Sequence, residues 1–256
     1  LGTVDPLRDI EIINAELILA DHAALEKRKI SREKKARSGD KEAKKELALM
    51  EKLLPHLDNG KPAITASIND DEQEIMKEFF LLTSKRTIFA CNVSEDELAN
   101  ALDNPDDHPM VSKVKSYAHE THGADAIVIS ARIEEELIDL SNEEANEFLQ
   151  DMGITDSGVS TMIRSVYQLL GLSTYLTTGE KETRAWTIKS GAKAPEAAGV
   201  IHTDFERGFI AAEVLHYDDY VEFQSKSAAR DAGKLRIEGK EYLVNDGDVI
   251  EFRFNV

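Results

Sequence analysis

One cysteine, Cys91, in 256 residues leaves no intrachain disulfide framework and suits a reducing, cytoplasmic setting. No apolar run is long enough to cross a bilayer and no secretory leader is recognisable, so no membrane partner is expected. Positive charge is scarce overall: 31 Lys and Arg stand against 49 Asp and Glu, a net charge of −18, which excludes a uniformly nucleic-acid-binding surface. No Gly-x-x-x-x-Gly-Lys-Ser/Thr occurs, and no Asp-x-x-Gly follows an early strand. The residues that cradle phosphates and hold their metal are therefore missing from this stretch, and no catalytic residue is assigned within it. His119 and His122 lack a further ligand, so no metal centre is expected. The crowded Glu134, Glu135, Glu136, Asp139, Glu143, Glu144 and Glu147 read as solvated helical faces. The polar island His202-Thr203-Asp204-Phe205 has no Ser or Cys elbow for nucleophilic chemistry. It reads as a loop capped by Asp204 or as a binding loop.

What the sequence does contain is organised around Arg86-Thr87-Ile88-Phe89-Ala90-Cys91-Asn92-Val93-Ser94-Glu95. An apolar, partly β-branched run enters a polar Asn-x-x-Glu, the pattern of a buried strand whose C-terminal end delivers polar side chains. A second such strand, Asp125 to Ser130, ends in Ser130-Ala131. A helical stretch separates the two, which predicts parallel neighbours joined by a crossover. Ligands on open α/β sheets sit at the carboxyl ends of the strands, so Asn92, Val93, Glu95, Ser130 and Ala131 form a candidate base-binding set. In small G proteins an Asn-Lys-x-Asp and a Ser-Ala-Lys occupy such strand ends, and the Asp carboxylate accepts two N–H bonds from guanine. Here Glu95 is one methylene longer than Asp and Val93 replaces Lys, so selectivity for guanine should fall. A structural role competes: Ser94 as N-cap with Glu97 at N3 makes a capping box.

Charge is unevenly spread. Between residues 27 and 45 lie Lys27, Arg28, Lys29, Arg32, Lys34, Lys35, Arg37, Lys41, Lys44 and Lys45, opposed only by Glu33, Asp40 and Glu42. Asp5 to Leu19 reads as a helix capped by Asp5 with Pro6 at its first position and a stripe of Ile10, Ile13, Leu17 and Ala20. Helical pattern continues from Asp21 to about Arg37, Ser38-Gly39-Asp40 turns, and a second helix to about His56 carries Ala43, Leu47, Met50 and Leu54. The basic residues thus gather at the tip of an αα-hairpin. Their excess of one sign argues against internal pairing and predicts a contact with RNA, ribosomal RNA above all. A further helix is expected from Asn69 to Leu82. Helix Val159–Leu170 is expected to pack Met162, Val166, Leu169 and Leu170 on the sheet.

After Gly171 the pattern becomes strand-rich: strands at 174–177, 184–189, 209–215, 235–237, 242–244 and 249–254, with short helices near 194–198, 217–223 and 226–232. Trp186 is expected in the core.

Several stretches together resemble the YchF (EngD, Obg-like ATPase) family of the TRAFAC-class GTPase superfamily. They are Val4 to Asn14, Asn92-x-x-Glu95, Ser130-Ala131-Arg132-Ile133-Glu134, Arg184 to Ile188, Gly199 to Ile210 and Val249 to Val256. The resemblance implies an α/β chain: a partial P-loop-type G domain with an inserted α-helical hairpin (coiled coil) domain and a C-terminal β-grasp TGS domain. The expected boundaries are 1–19 and 84–170 for the nucleotide domain, 20–83 for the hairpin and 171–256 for the TGS domain. It also implies ATP preferred over GTP, Mg2+ held through residues not in this chain, and a ribosome or RNA partner. The hydrolytic P-loop half is expected to precede Leu1. The competing reading is a non-catalytic adaptor in which hairpin and TGS modules bind RNA or protein.

Overall fold

The computed structural model describes residues 4–179 and 182–255, without the side chain of His122. Residues 1–3 and 256, which fall in the expected first and last domains, lie outside that description, as do 180 and 181. The chain divides into two compact units between Met162 and Ile163.

The N-terminal unit opens with α1 (Pro6–Arg37). The helical pattern expected over Asp5 to Leu19 and on from Asp21 to about Arg37 forms one 32-residue rod, since nothing between Pro6 and Gly39 breaks a helix. Asp5 caps it by accepting from the Arg8 amide, with Pro6 at the first helical position. Gly39, at φ +97°, supplies the left-handed turn that reverses the chain. The Asp40 carboxylate then caps α2 (Lys41–Asp58). The two helices pack through Ile18 and Leu25 against Leu49, Met50, Leu53 and Leu57, joined by Phe79 and Leu81. Each such side chain contributes about 1.5–3 kcal/mol relative to exposure. The predicted α1 stripe is displaced: Ile13 is 54% exposed, and Ile18, Asp21 and Leu25 are the buried residues. Of the α2 stripe, Ala43, Met50 and Leu54 are buried.

A buried carboxylate fastens this hairpin to the chain that leaves it. Asp21 accepts from the amides of Leu82 and Thr83, both at 2.7 Å, and from the Thr83 hydroxyl at 2.6 Å. Thr83 in turn accepts from the Ala63 amide at 2.9 Å. The intervening helix α3 (Asp70–Lys77), capped by an Asn69–Glu72 capping box, is shorter than the predicted 69–82. Phe79 and Leu81 turn into the core while Phe80 adopts φ +55°, which ends the helical run.

The chain then forms β1 (Phe89–Asn92), α4 (Glu95–Asp103), α5 (Pro109–His122), β2 (Ala126–Ile129), α6 (Ala131–Leu137), α7 (Asn142–Asp151) and α8 (Gly158–Leu170). β1 and β2 pair in parallel, with Phe89 opposite Ala126 and Asn92 opposite Ile129. Val111, Val128, Ile133 and Leu149 form the core on one side. Val114, Ala118 and Ala126, with Ile10 of α1, form the other. α8 departs from expectation: none of its residues is buried and Leu170 is 59% exposed. It spans the division between the units, and its apolar positions belong to neither core cluster.

The C-terminal unit is built on a mixed five-stranded sheet in the order β4-β3-β7-β5-β6. These strands are β3 (Leu172–Thr178), β4 (Thr183–Lys189), β5 (Phe209–Leu215), β6 (Arg236–Glu238) and β7 (Val249–Phe254). β3 and β7 are parallel; the other pairs are antiparallel. α9 (Ala194–Ile201) lays Ala194, Ala197 and Ala198 against Tyr175, Ala212, Val214, Ile250 and Phe252. The short α10 (Thr203–Arg207) follows it, and α11 (Tyr217–Phe223) and α12 (Lys226–Asp231) connect β5 to β6. The strand expected at 242–244 is reduced to a single bridge, Lys193 to Leu243. There Tyr242 and Asn245 are taken up by hydrogen bonds around Asp248. Trp186 is half-buried, with its indole N–H on Thr177 and the Arg184 guanidinium 4.2 Å above its ring.

Because Asp21 satisfies two backbone donors in the hairpin's seam, Asp21→Ala should destabilise the N-terminal unit by about 3 kcal/mol. Urea unfolding followed by circular dichroism measures this, and a loss under about 0.5 kcal/mol would contradict the assignment.

Candidate functional site

The parallel register brings both polar strand ends to one place. Asn92 lies opposite Ile129, the Val93 amide bonds the Ile129 carbonyl at 2.9 Å, and the Asn92 side-chain oxygen accepts from the Ala131 amide at 2.9 Å. That last bond leaves the two N–H donors of the Asn92 carboxamide for other partners. Asn92 and Ala131 are exposed, and Val93 is half-buried against the Val111–Val128 core. Ser130 is fully buried, and its hydroxyl has no hydrogen-bond partner among the described residues. Glu95 is exposed at the first position of α4.

A cleft of about 540 Å³ opens beside Asn92 and Val93. Pro6, Asp9 and Ile10 of α1, the β1 residues Phe89 to Asn92, and Met110, Val111 and Val114 of α5 form its walls. This is an apolar slot with a few polar groups, of a size that suits a small organic ligand. Glu95, Ser130 and Ala131 do not line it. The polar residues that do are Asp9, Asn92, Ser94, Glu97 and His108. Ser94 donates its hydroxyl to Glu97 at 2.6 Å, and no Ser94 side-chain bond to the N3 amide forms, so the predicted capping box is only half present. The Ser94 hydroxyl and, after it, the Ser94 backbone hold the Glu97 carboxyl below its ordinary pKa, against slight desolvation. His108 accepts from the Val111 amide as the cap of α5 and faces Glu97 at 3.7 Å. Burial pushes the Cys91 thiol up, with Lys115 opposing. Among the described residues no group of three His, Cys, Asp or Glu side chains could hold a metal.

The basic hairpin is partly consumed from within. Arg28 and Arg32 both direct their Nε–H to Glu46, at 2.9 and 2.8 Å, and Glu46 is only 6% exposed. Two of the predicted RNA contacts are thus committed to neutralising a buried carboxylate, because a buried charge must be paired. Lys27, Lys34, Lys35, Arg37, Lys41, Lys44 and Lys45 are exposed, Lys45 forming a surface pair with Glu42 at 3.1 Å; Lys29 is half-buried.

Several polar groups have roles the sequence did not disclose. Glu134, taken as part of a solvated face, accepts from the Gly158 amide at 2.6 Å and so caps α8. A Cβ at Gly158 would lie 2.9 Å from both the Glu134 carboxylate and the Ile129 side chain, so a larger residue there would have to displace them. In the polar island, His202 rather than Asp204 is the cap: its Nδ1 accepts from the Asp204 amide at 3.2 Å. Asp248 is fully buried and accepts from Tyr242 and the Asn245 amide. Glu213, 4% exposed, pairs with Lys226, Arg230 and Arg253. Carboxylates spaced along exposed-looking patterns gave no signal for these internal partners. Among the described residues no helix is long and apolar enough to cross a membrane.

Comparison with known proteins places these features in context. A family model described as "Protein of unknown function (DUF933)", YchF-GTPase_C, matches residues 172–255. The chain is 48% identical over 255 residues to the "Ribosome-binding ATPase YchF" of Bacillus subtilis, spanning 100% of this chain and 68% of that protein. It is 47% identical to the protein of the same description from Haemophilus influenzae, with the same coverage. The solved structure of the Schizosaccharomyces pombe YchF GTPase superposes with a TM-score of 0.75 at 35% identity, covering 98% of this chain and 67% of that one.

The Ser94–Glu97 bond carries a pH consequence. Glu97's lowered pKa contributes stability that is present above the unfolded carboxylate value and lost as pH falls through the folded one. Ser94→Ala should raise the Glu97 pKa toward the ordinary carboxylate value, read by NMR titration of the side-chain carboxyl. An unchanged titration would rule out that bond as the cause.

Proposed function

We propose, since the chain belongs to the YchF family, that it is the base-recognising and partner-binding part of a ribosome-associated ATPase. In this proposal Asn92, Val93, Glu95, Ser130 and Ala131 contact the purine, with ATP preferred over GTP. Mg2+ and the phosphate-binding loop are supplied by residues outside these 256. The first unit is then part of a P-loop-type G domain carrying a helical hairpin, and the second a β-grasp TGS domain. A cytoplasmic setting accords with the ribosome association stated for the relatives.

The observation that carries the base-site reading is the direct bond between the two strand ends, Asn92 to the Ala131 amide. It sets residues 39 apart in sequence against one another. The Asn92 carboxamide offers donors to a ring nitrogen, and Glu95 offers only acceptors, which suit an exocyclic amino group such as adenine's. Fixed polar groups of this kind discriminate only when placed for their partner. Hydrolysis itself is positioning and charge neutralisation at the phosphates, which this stretch does not provide. The exposed Lys34, Lys35 and Arg37, at the end of α1, are the groups proposed to meet ribosomal RNA phosphates.

Two outcomes follow for measurement. Calorimetric titration of the family-length protein should give tighter binding of ATP than of GTP. A GTP preference of about tenfold, ~1.4 kcal/mol, would overturn the role given to Glu95. Replacing Lys34, Lys35 and Arg37 together with Glu should weaken ribosome co-sedimentation at low salt by on the order of tenfold or more; unchanged co-sedimentation would exclude the hairpin as the contact.

A further inference from the structure

We infer that Glu134 is a positioning residue for the base site: it holds the Ser130-Ala131 loop from behind without meeting the base itself. The inference rests on the base-site reading above. Three glutamates follow one another in α6. Glu135 and Glu136 lie with Arg132 on the surface, at 3.8 and 3.1 Å. Glu134 is half-buried, and its carboxylate accepts from the Gly158 amide at 2.6 Å. Ile133 beside it is fully buried in the core, which fixes the rotation of the helix and with it the direction of Glu134.

The loop needs a fastener other than its own serine. Ser130 stands at the N-cap of α6, where a serine hydroxyl ordinarily accepts from a first-turn amide. Here no side-chain cap bond forms, and the buried hydroxyl has no hydrogen-bond partner among the described residues. The loop is gripped from two sides instead. Asn92 takes the Ala131 amide at 2.9 Å. Glu134, whose own amide bonds the Ser130 carbonyl at 3.0 Å, carries the second grip to the first residue of α8.

The contact at α8 is close as well as polar. A Cβ at Gly158 would lie 2.9 Å from the Glu134 carboxylate and from the Ile129 side chain. Ile129 immediately precedes the loop and is the register partner of Asn92, and its carbonyl holds the Val93 amide at 2.9 Å. The backbone at Gly158 thus bears on the last residue of β2 and on Glu134 together. Only about 10 Å³ of free space lies among Ser130, Glu134, Gly158 and their neighbours, at the limit of a single water molecule. The loop therefore has little slack while the bond stands. A carboxylate bond to a backbone amide is charge-assisted and stronger than a neutral one. Breaking it frees the loop and leaves every base-contacting group chemically intact, which separates positioning from contact.

The test compares Glu134→Ala and Glu134→Gln with Asn92→Ala in the family-length protein. Affinity for magnesium ATP is read by calorimetry, and amide hydrogen exchange is followed at Ala131 and, as a control in the α1–α2 core, at Leu53. Glu134→Ala should weaken ATP binding about fivefold and speed Ala131 exchange by a similar factor, the equivalent of one lost hydrogen bond. Glu134→Gln keeps an acceptor for the Gly158 amide and should return both to within about twofold of the parent. Leu53 should exchange at the parent rate throughout. If Leu53 speeds up as much as Ala131, the effect is general loss of stability and the positioning role is wrong. A glutamine that behaves like alanine would remove the Gly158 bond as the cause. Unchanged Ala131 exchange in Glu134→Ala would refute the fastening whatever the site binds. If Asn92→Ala weakens ATP binding and Glu134→Ala does not, the base-site reading stands and the inference is overturned. If neither weakens it, the base-site reading falls and takes the inference with it.

Discussion

The parallel pairing of β1 with β2 in its particular register is the constraint from which the candidate site follows. Side chains on a strand alternate faces, and a slip of one residue would send Asn92 to the other side of the sheet. With Asn92 opposite Ile129, its carboxamide reaches the Ala131 amide at the start of α6. The same register aligns Cys91 with Val128, so the apolar residues of both strands enter the cores on either side. Core burial fixes the register, and the register fixes the polar tips. Chemistry at the strand ends is thus a by-product of packing beneath them.

A second theme is the use of buried carboxylates as fasteners. Asp21 and Glu46 in the hairpin, and Glu213 and Asp248 in the C-terminal unit, are each under a tenth exposed. Each is surrounded by donors: backbone amides at Asp21, arginines at Glu46, three cations at Glu213, and a tyrosine with a backbone amide at Asp248. A chain this acidic places part of its negative charge inside, where unpaired it would be costly. The consequence for function is at the hairpin, where Glu46 withdraws Arg28 and Arg32 from the surface and leaves the lysines with Arg37 to carry the outward charge.

Much of this was legible in the sequence where one local rule decides the outcome. Pro6 after Asp5 marks the start of α1, Gly39 marks the hairpin turn, and short, mostly apolar runs mark β5 and β7, whose ends match the expected 209–215 and 249–254. The parallel β1–β2 pair was legible too, because a helix between two apolar strands leaves few other connections. What was not legible depended on partners far away in the chain. Nothing near Asp21 announces Thr83, and nothing near Glu134 announces Gly158. The 69–82 helix was overextended because Phe79, Phe80 and Leu81 look alike in sequence, while the structure buries two and expels one. In the candidate site, the residue types at the strand ends could be named, but the cleft's other wall, from the first turns of α1, could not be anticipated from spacing alone.

The most direct test of the strand-end geometry is amide hydrogen exchange at Ala131. In the parent chain that N–H is held by Asn92 and should be protected. In Asn92→Ala it loses its acceptor and should exchange about tenfold faster or more, the equivalent of roughly one hydrogen bond. Equal exchange rates in the two proteins would mean the strand ends are not joined, and the base site built on them would not exist.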